Sequence, residues 1–302
     1  MTLLDAIAAA AARLDAAGCA YGQGTTNAFD EAAWLVLWQL GLPLDSDLDA
    51  AAADAQRELT AAEQAAVDAL IEARIHSRRP AAYLTGEAWL QGVPFFVDER
   101  VIVPRSLIAE PIGDGTLDAW LNQHTRRVLD LCTGNGSLAV LAALAWPEVT
   151  VLGTDLSADA LEVAARNVQR HGLTERITLR AGDGLAALQA GERFDLILCN
   201  PPYVNAASLA ALPPEFRAEP ALALDGNADG RGDGMAFVRG LLAGVRAHMN
   251  PHALLVLEIG HEAQHFVRAF PRLPLVGLPT SAGDEQVLLI EAEALNPRPS
   301  QR

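Results

Sequence analysis

From about residue 112 onward the sequence alternates apolar runs with amphipathic stretches, and this alternation limits the fold more than any other feature of the chain. Arg127 to Leu131, Thr150 to Thr154, Arg176 to Arg180 and Asp195 to Cys199 read as strands, with helices from Ser137 to Ala145 and Ala158 to His171 between the first three. A helix from about Met235 to His248, a strand from Ala253 to Glu258, a helix from Gly260 and a last strand from Gln286 to Glu291 follow. Strands separated by helices pair in parallel through crossovers, so the expected fold is α/β with a doubly wound sheet.

The first 85 residues or so are alanine-rich and carry apolar residues at helical spacing over Leu3 to Ala17, Asp30 to Leu40 and Thr60 to Ser77. Asp30 or Asn27 caps the second helix, Thr60 with Glu63 forms a capping box for the third, and Gly41-Leu42-Pro43 ends the middle one. Between Trp89 and Val103 the pattern becomes β-like. Val93, Phe95, Phe96 and Val97 are expected to face Val101, Ile102 and Val103 across Asp98-Glu99-Arg100. The expected organisation is a helical substrate-recognition domain over 1–88, a β-hairpin linker over 89–111, a catalytic domain over 112–295 and a frayed tail over 296–302.

With 302 residues, 51% of them hydrophobic, the chain can bury a large core. Its 22 basic and 38 acidic residues give a net charge of −16, which opposes a broad phosphate-binding surface and favours a basic partner. There is no lysine, so a Walker lysine, a Schiff-base lysine and a lysine general base are all excluded. Cys19, Cys132 and Cys199 are far apart and lack metal-like spacing, which suits a reducing cytosol, and no metal is assigned. The N-terminus lacks a leader-like pattern and no apolar run approaches the roughly 20 residues of a membrane span. A soluble, cytoplasmic protein is expected, and a monomer.

Two constellations carry chemistry. Asp130-Leu131-Cys132-Thr133-Gly134-Asn135-Gly136 sits at a strand-to-helix junction, where glycines let a ligand approach backbone N–H groups. Asp155 ends the next strand, placed to accept both hydroxyls of a ribose, with Leu156 following it and Asp183 after the third strand as a candidate for an adenine edge. The cofactor candidates are therefore Asp130, Thr133, Gly134, Gly136, Asp155, Leu156, Asp183 and Asn200. The third glycine of a dinucleotide fingerprint would fall at Ala139, which is tolerated, so the loop alone does not separate a nicotinamide dinucleotide from S-adenosylmethionine.

The fourth strand separates them. Asn200-Pro201-Pro202-Tyr203 follows its apolar run, and two successive prolines make a stiff bend. The Asn200 side-chain oxygen and the Pro201 carbonyl can each accept one N–H of a substrate –NH₂, leaving the nitrogen lone pair aimed at an electrophile, with Tyr203 covering the planar group. A dehydrogenase has no need of such a bend; methyl transfer to a neutral –NH₂ needs it.

Two further motifs carry weaker signals. His261-Glu262-Ala263-Gln264-His265 matches a zinc pattern but has no third ligand in a suitable context, and solvated histidines on a surface helix explain it. Asp225 to Gly230 opens like an EF-hand loop, yet position twelve is Ala236, and it reads as a flexible substrate loop.

Taken together, Asp130 to Gly136, Asp155 and Asn200 to Tyr203 make the chain resemble, over nearly its whole length, the class I S-adenosylmethionine-dependent methyltransferases that modify glutamine side-chain amides. That resemblance implies a helical N-terminal domain, a hairpin linker and a seven-stranded Rossmann-like sheet with its last strand antiparallel. It also implies that S-adenosylmethionine leaves as S-adenosylhomocysteine, and that Asn200 and Pro201 orient the glutamine nitrogen while Pro202 and Tyr203 sandwich the amide plane. Two subfamilies share these motifs, one acting on large-subunit ribosomal protein L-three and the other on release factors. Tyr21 to Ala32 and Val103-Pro104-Arg105-Ser106-Leu107-Ile108 resemble the ribosomal-protein subfamily, although Leu107 stands where its pattern has a proline. The release-factor pattern Pro-Arg-Pro-x-Thr-Glu is not present. The same bend also suits the exocyclic –NH₂ of a flipped nucleobase, but an acidic, alanine-rich N-terminal region argues against sequence-specific nucleic-acid binding.

Overall fold

The structure, a computed structural model, describes residues 1–296. The N-terminal part packs α1 (Leu3–Ala16), α2 (Ala28–Gln39), α3 (Ala61–Ser77) and the short α4 (Ala81–Thr85). Leu3, Ile7 and Leu14 of α1 meet Leu35 and Val36 of α2 and Val67 and Ile71 of α3 in one buried cluster, as the helical spacing of these residues requires. Asn27 caps α2, accepting from the Asp30 backbone N–H, and Thr60 with Glu63 forms the capping box of α3.

The hairpin lies elsewhere than expected. Strand β1 (Glu87–Leu90) pairs antiparallel with β2 (Val93–Phe96), and the two are joined by Gln91 and Gly92 at φ 50° and 73°. Positive φ at both turn residues gives the twist a two-residue hairpin needs. A glutamine in that conformation is an uncommon turn signal, which is why the hairpin is not legible as such. Val101 and Val103 form no strand but are buried as a loop against Val97 and Val163. The hairpin thus straddles the boundary expected at residue 88.

The rest runs α5 (Ala109–Gly113), β3 (Arg127–Leu131), α6 (Ser137–Ala145), β4 (Thr150–Asp155), α7 (Ala158–Arg170), β5 (Ile177–Ala181) and β6 (Phe194–Cys199). Three short helices follow, α8 (Ala206–Ala211), α9 (Pro214–Arg217) and α10 (Ala221–Leu224), then α11 (Ala236–Gly244), β7 (Met249–Glu258), α12 (Ala263–Ala269), β8 (Val276–Gly277) and β9 (Val287–Glu291). Seven strands form one sheet in the order β5-β4-β3-β6-β7-β9-β8, parallel from β5 to β7, with β9 antiparallel to both its neighbours. The seventh strand, β8, is only two residues long and escapes a periodicity reading. Alternate strand residues face opposite layers: Val128, Leu196 and Val256 pack beneath α6, whereas Leu129, Ile197 and Leu255 pack with Val238 and Leu241 of α11 and Phe266 of α12. Among the described residues no helix is long and apolar enough to cross a membrane. Of the tail expected to fray, Asn296 accepts a hydrogen bond from Arg246 Nε at 2.9 Å and 297–302 lie outside the described residues.

The helices inserted between β6 and α11 are tied back to the N-terminal part through buried charge. Arg74, fully buried, donates to Glu31 Oε1 at 2.8 Å, Glu215 Oε1 at 3.3 Å and the Ala20 carbonyl at 3.0 Å, and Arg78 adds a second bond to Glu215 Oε1 at 3.0 Å. Burial pushes the Glu31 carboxyl up. For Glu215, burial alone would do the same, but backbone hydrogen bonds and then Arg78 and Arg74 hold it below its ordinary value. Gly22 and Gln23 close the contact, the first against the Phe216 ring and the second donating to the Glu215 carbonyl. Removing this buried cation leaves Glu31 uncompensated and Glu215 with Arg78 alone, so Arg74→Ala is expected to lower stability by about 3 to 5 kcal/mol in urea unfolding. Arg13→Ala, which breaks a half-exposed pair with Asp68 and Glu72, should cost no more than about 1 kcal/mol.

Candidate active site

The carboxyl ends of β3, β4, β5 and β6 open onto one cavity of about 970 Å³, at the point where the strand order reverses between β3 and β6. Its floor is the glycine loop. Cys132, Gly134 and Gly136 all have positive φ (64°, 54° and 80°), and a Cβ at Gly136 would stand 3.1 Å from that of Ala164 on α7, so the loop packs closely on the helix. A Cβ at Gly134 would meet nothing within 4 Å. The loop is held by Thr133, whose N–H donates to the Thr154 carbonyl at 2.9 Å and whose hydroxyl donates to Asp130.

Asp155 is oriented from two sides. Its Oδ2 accepts from the Gly134 N–H and its Oδ1 from the Ser157 N–H, both at 2.9 Å, which leaves a further lone pair on each oxygen for a ligand hydroxyl. Leu156 beside it is 53% exposed, as is Leu222 of α10, and both line the cavity. Asp183 lines it too, at the end of β5.

Asn200 and Pro202 share this lining, so the bend and the glycine loop meet in one space. Pro201 is buried behind it. Tyr203 is also outside the lining. The ring fills the place where a Cβ on Gly260 would stand, 2.6 Å away, and its hydroxyl donates to Glu258 Oε1 at 3.0 Å. Glu258, buried at the end of β7, accepts also from Ser106 Oγ at 2.6 Å and the Leu107 N–H at 2.9 Å. Burial pushes the Glu258 carboxyl up, opposed by these bonds, and burial followed by the Glu258 charge pushes the Tyr203 phenol up. Tyr203 is thus the anchor of the bend.

Asp130, Thr133 and Gly136 do not line the cavity either; they shape the loop from beneath. Asp130 is fully buried, and its Oδ2 accepts from the Thr133 hydroxyl and the Ala139 N–H. Sequence reasoning missed Asn167, a buried polar residue on α7 that bonds Phe96 through both N–H and C=O and donates to the Asn135 carbonyl at 2.9 Å, joining β2 to the loop. It also missed Pro220 to Ala223, a wall of the cavity whose short helix carries no periodic signal. Of the zinc-like motif, His261 precedes α12, and the buried Glu262 accepts from the Asn205 backbone N–H and side chain instead. The Asp225 to Gly230 loop lines the cavity in part and is tied down, with the Asn227 side chain donating to the Val204 carbonyl and accepting from the Gly234 N–H, both at 2.9 Å.

A parallel sheet with one reversed strand, in this order, and a glycine loop facing an acidic residue on the neighbouring strand define a class I methyltransferase, a class that uses S-adenosylmethionine. The Methyltransferase small domain family matches residues 115–219. The chain is 51% identical to a ribosomal protein uL3 glutamine methyltransferase of Bordetella pertussis over 98% of its own length and 96% of that protein's. A protein of the same name from Burkholderia pseudomallei is 48% identical over 97% and 95%, and one from Bradyrhizobium diazoefficiens is 45% identical over 98% and 92%. The chain belongs to the ribosomal protein uL3 glutamine methyltransferase family.

Burial pushes the Asp130 carboxyl up to about 7, and the Thr133 and Ala139 bonds only partly oppose it. Between its ordinary value of 3.8 and about 7 the folded protein therefore keeps a proton that the unfolded chain has lost, and the contribution of this group to stability falls as pH rises through that window. Asp130→Asn, which cannot titrate, is expected to gain stability relative to the native protein across the same window and to hold a constant difference above it, as followed by urea midpoints.

Proposed function

We propose that this protein methylates a glutamine side-chain amide nitrogen of ribosomal protein uL3, with S-adenosylmethionine as donor. The observation that carries the reading is Asn200 at the carboxyl end of β6, lining the same cavity as Asp155 and the glycine loop. The cavity suits this donor by its own chemistry. Its acidic side chains include Asp155, Asp183, Asp225 and Asp229, its one basic side chain among the described residues is Arg100, and Arg100 is engaged by Asp98 and Glu162. Such a lining favours a cationic nucleoside over a phosphorylated one. In this reading Asp155 takes the ribose hydroxyls, Gly134 allows close backbone approach, Leu156 meets the apolar face of the base and Asp183 its edge, a reading supported by their shared lining of the cavity.

When bound, S-adenosylmethionine supplies an electrophilic methyl group. The chain's own residues position the nucleophile. Asn200 Oδ1 and the Pro201 carbonyl accept the two amide N–H bonds, which turns the nitrogen lone pair toward the cavity, and Pro202 contributes an apolar wall. The amide nitrogen would shed one proton to water as it takes up the methyl group and loses conjugation with its carbonyl, so the neutral acceptors Asn200 and Pro201 need remove no proton beforehand. The family relationship and the net charge of −16 both suit a basic ribosomal protein as acceptor.

Steady-state kinetics on unmethylated uL3 test these roles. Asn200→Ala is expected to cost about 2 to 3 kcal/mol in the transition state, roughly 30- to 150-fold in kcat, while S-adenosylhomocysteine affinity is mostly kept. Asp155→Ala should show the reverse, with weakened cofactor affinity as its main defect. Loss of cofactor binding in the Asn200 variant would show that the bend is misassigned.

A further inference from the structure

The cavity wall made by Pro220 to Ala223 has little intrinsic reason to stay where it is. Helix α10 is four residues long and has no side-chain cap, and Leu222 is more than half exposed. At its far end the wall is held by the Val204 N–H donating to the Leu224 carbonyl at 2.9 Å. At its near end it is held by Glu219, a buried carboxylate that accepts from the Val103 N–H at 2.9 Å, Arg105 Nη1 at 2.6 Å and Arg105 Nη2 at 2.8 Å. Arg105 also donates to the Val103 carbonyl at 3.0 Å and lies 5.4 Å from the centre of the Phe216 ring. A guanidinium gripping both oxygens of a buried carboxylate fixes its orientation as well as its position, which an ammonium cannot do. The next residues of the same segment, Ser106 and Leu107, hold Glu258 and through it Tyr203.

We infer that Arg105 is a positioning residue for the cofactor cavity, acting through Glu219 to hold the Pro220 to Ala223 wall at the distance a bound adenosyl group requires. The 103–107 segment thereby sets the wall and the Asn200 bend from one frame. This inference rests on the reading of the cavity as the S-adenosylmethionine site.

Calorimetric titration with S-adenosylhomocysteine, alongside thermal unfolding of the unliganded proteins, tests it. Arg105→Lys and Glu219→Gln should each bind about tenfold more weakly, the worth of one charge-assisted hydrogen bond, and the double variant no more weakly than either alone. Leu222→Ala should also bind more weakly with an unchanged unfolding midpoint, since its side chain is exposed and its loss does not threaten the fold. Native-like affinity in Arg105→Lys or Leu222→Ala, or losses that add in the double variant, would overturn the inference. A native protein that binds S-adenosylhomocysteine but does not methylate uL3 would leave this inference standing and refute the proposed substrate. A native protein that does not bind it would remove the reading of the cavity and this inference with it.

Discussion

Two buried carboxylates, Glu215 and Glu219, govern how this molecule is put together. Both belong to the insertion between β6 and α11, and both are neutralised by arginines from earlier in the chain: Glu215 by Arg74 and Arg78, Glu219 by Arg105. Burying a carboxylate without a partner is prohibitively unfavourable, so the insertion can dock only where these guanidinium groups wait. Arginine suits the task because it stays charged when buried and presents a planar fork, whereas a buried lysine can lose its proton. In a chain without lysine, the positive charge available for such docking is arginine's.

The docking explains how a helical N-terminal region bears on the Asn200 bend at the end of β6. The insertion leaves the Asn200 bend, contacts α3 through Glu215, contacts the 103–107 segment through Glu219, and then forms a wall of the cavity. The bend is fixed separately by Tyr203 on Glu258, again with Ser106 and Leu107 as donors. For the proposed catalysis by orientation the acceptor groups must not drift, and the bend that carries them is held by charge-assisted bonds in buried surroundings.

The sheet was legible because its strands are buried on both faces and its crossovers keep helical spacing. That Gly134, Asp155 and Asn200 come together at one cavity follows from their places at the carboxyl ends of β3, β4 and β6, which the strand pattern makes legible. Legibility failed where structure depends on partners distant in sequence. The Gln91-Gly92 turn, the two-residue β8 and the four-residue α10 carry too little periodicity to register. The roles of Asn167, Glu215 and Glu219 cannot be read from their neighbours, because each is defined by groups many residues away. The groups that hold Tyr203, Gly260 and Glu258, lie more than fifty residues on and leave no mark beside the two prolines. The segments Tyr21 to Ala32 and Val103 to Ile108, first noted as subfamily markers, supply Gln23, Glu31, Arg105 and Ser106 to the docking of the insertion and the bend.

Mass spectrometry of three acceptors incubated with the protein and S-adenosylmethionine tests the central claim most directly: unmethylated uL3, a release factor and unmethylated DNA. The account predicts a single added methyl on one glutamine side chain of uL3 and none on the other two. Methylation of the release factor in place of uL3 would contradict the substrate, and methylation of DNA alone would contradict the reading of the Asn200 bend as a glutamine site.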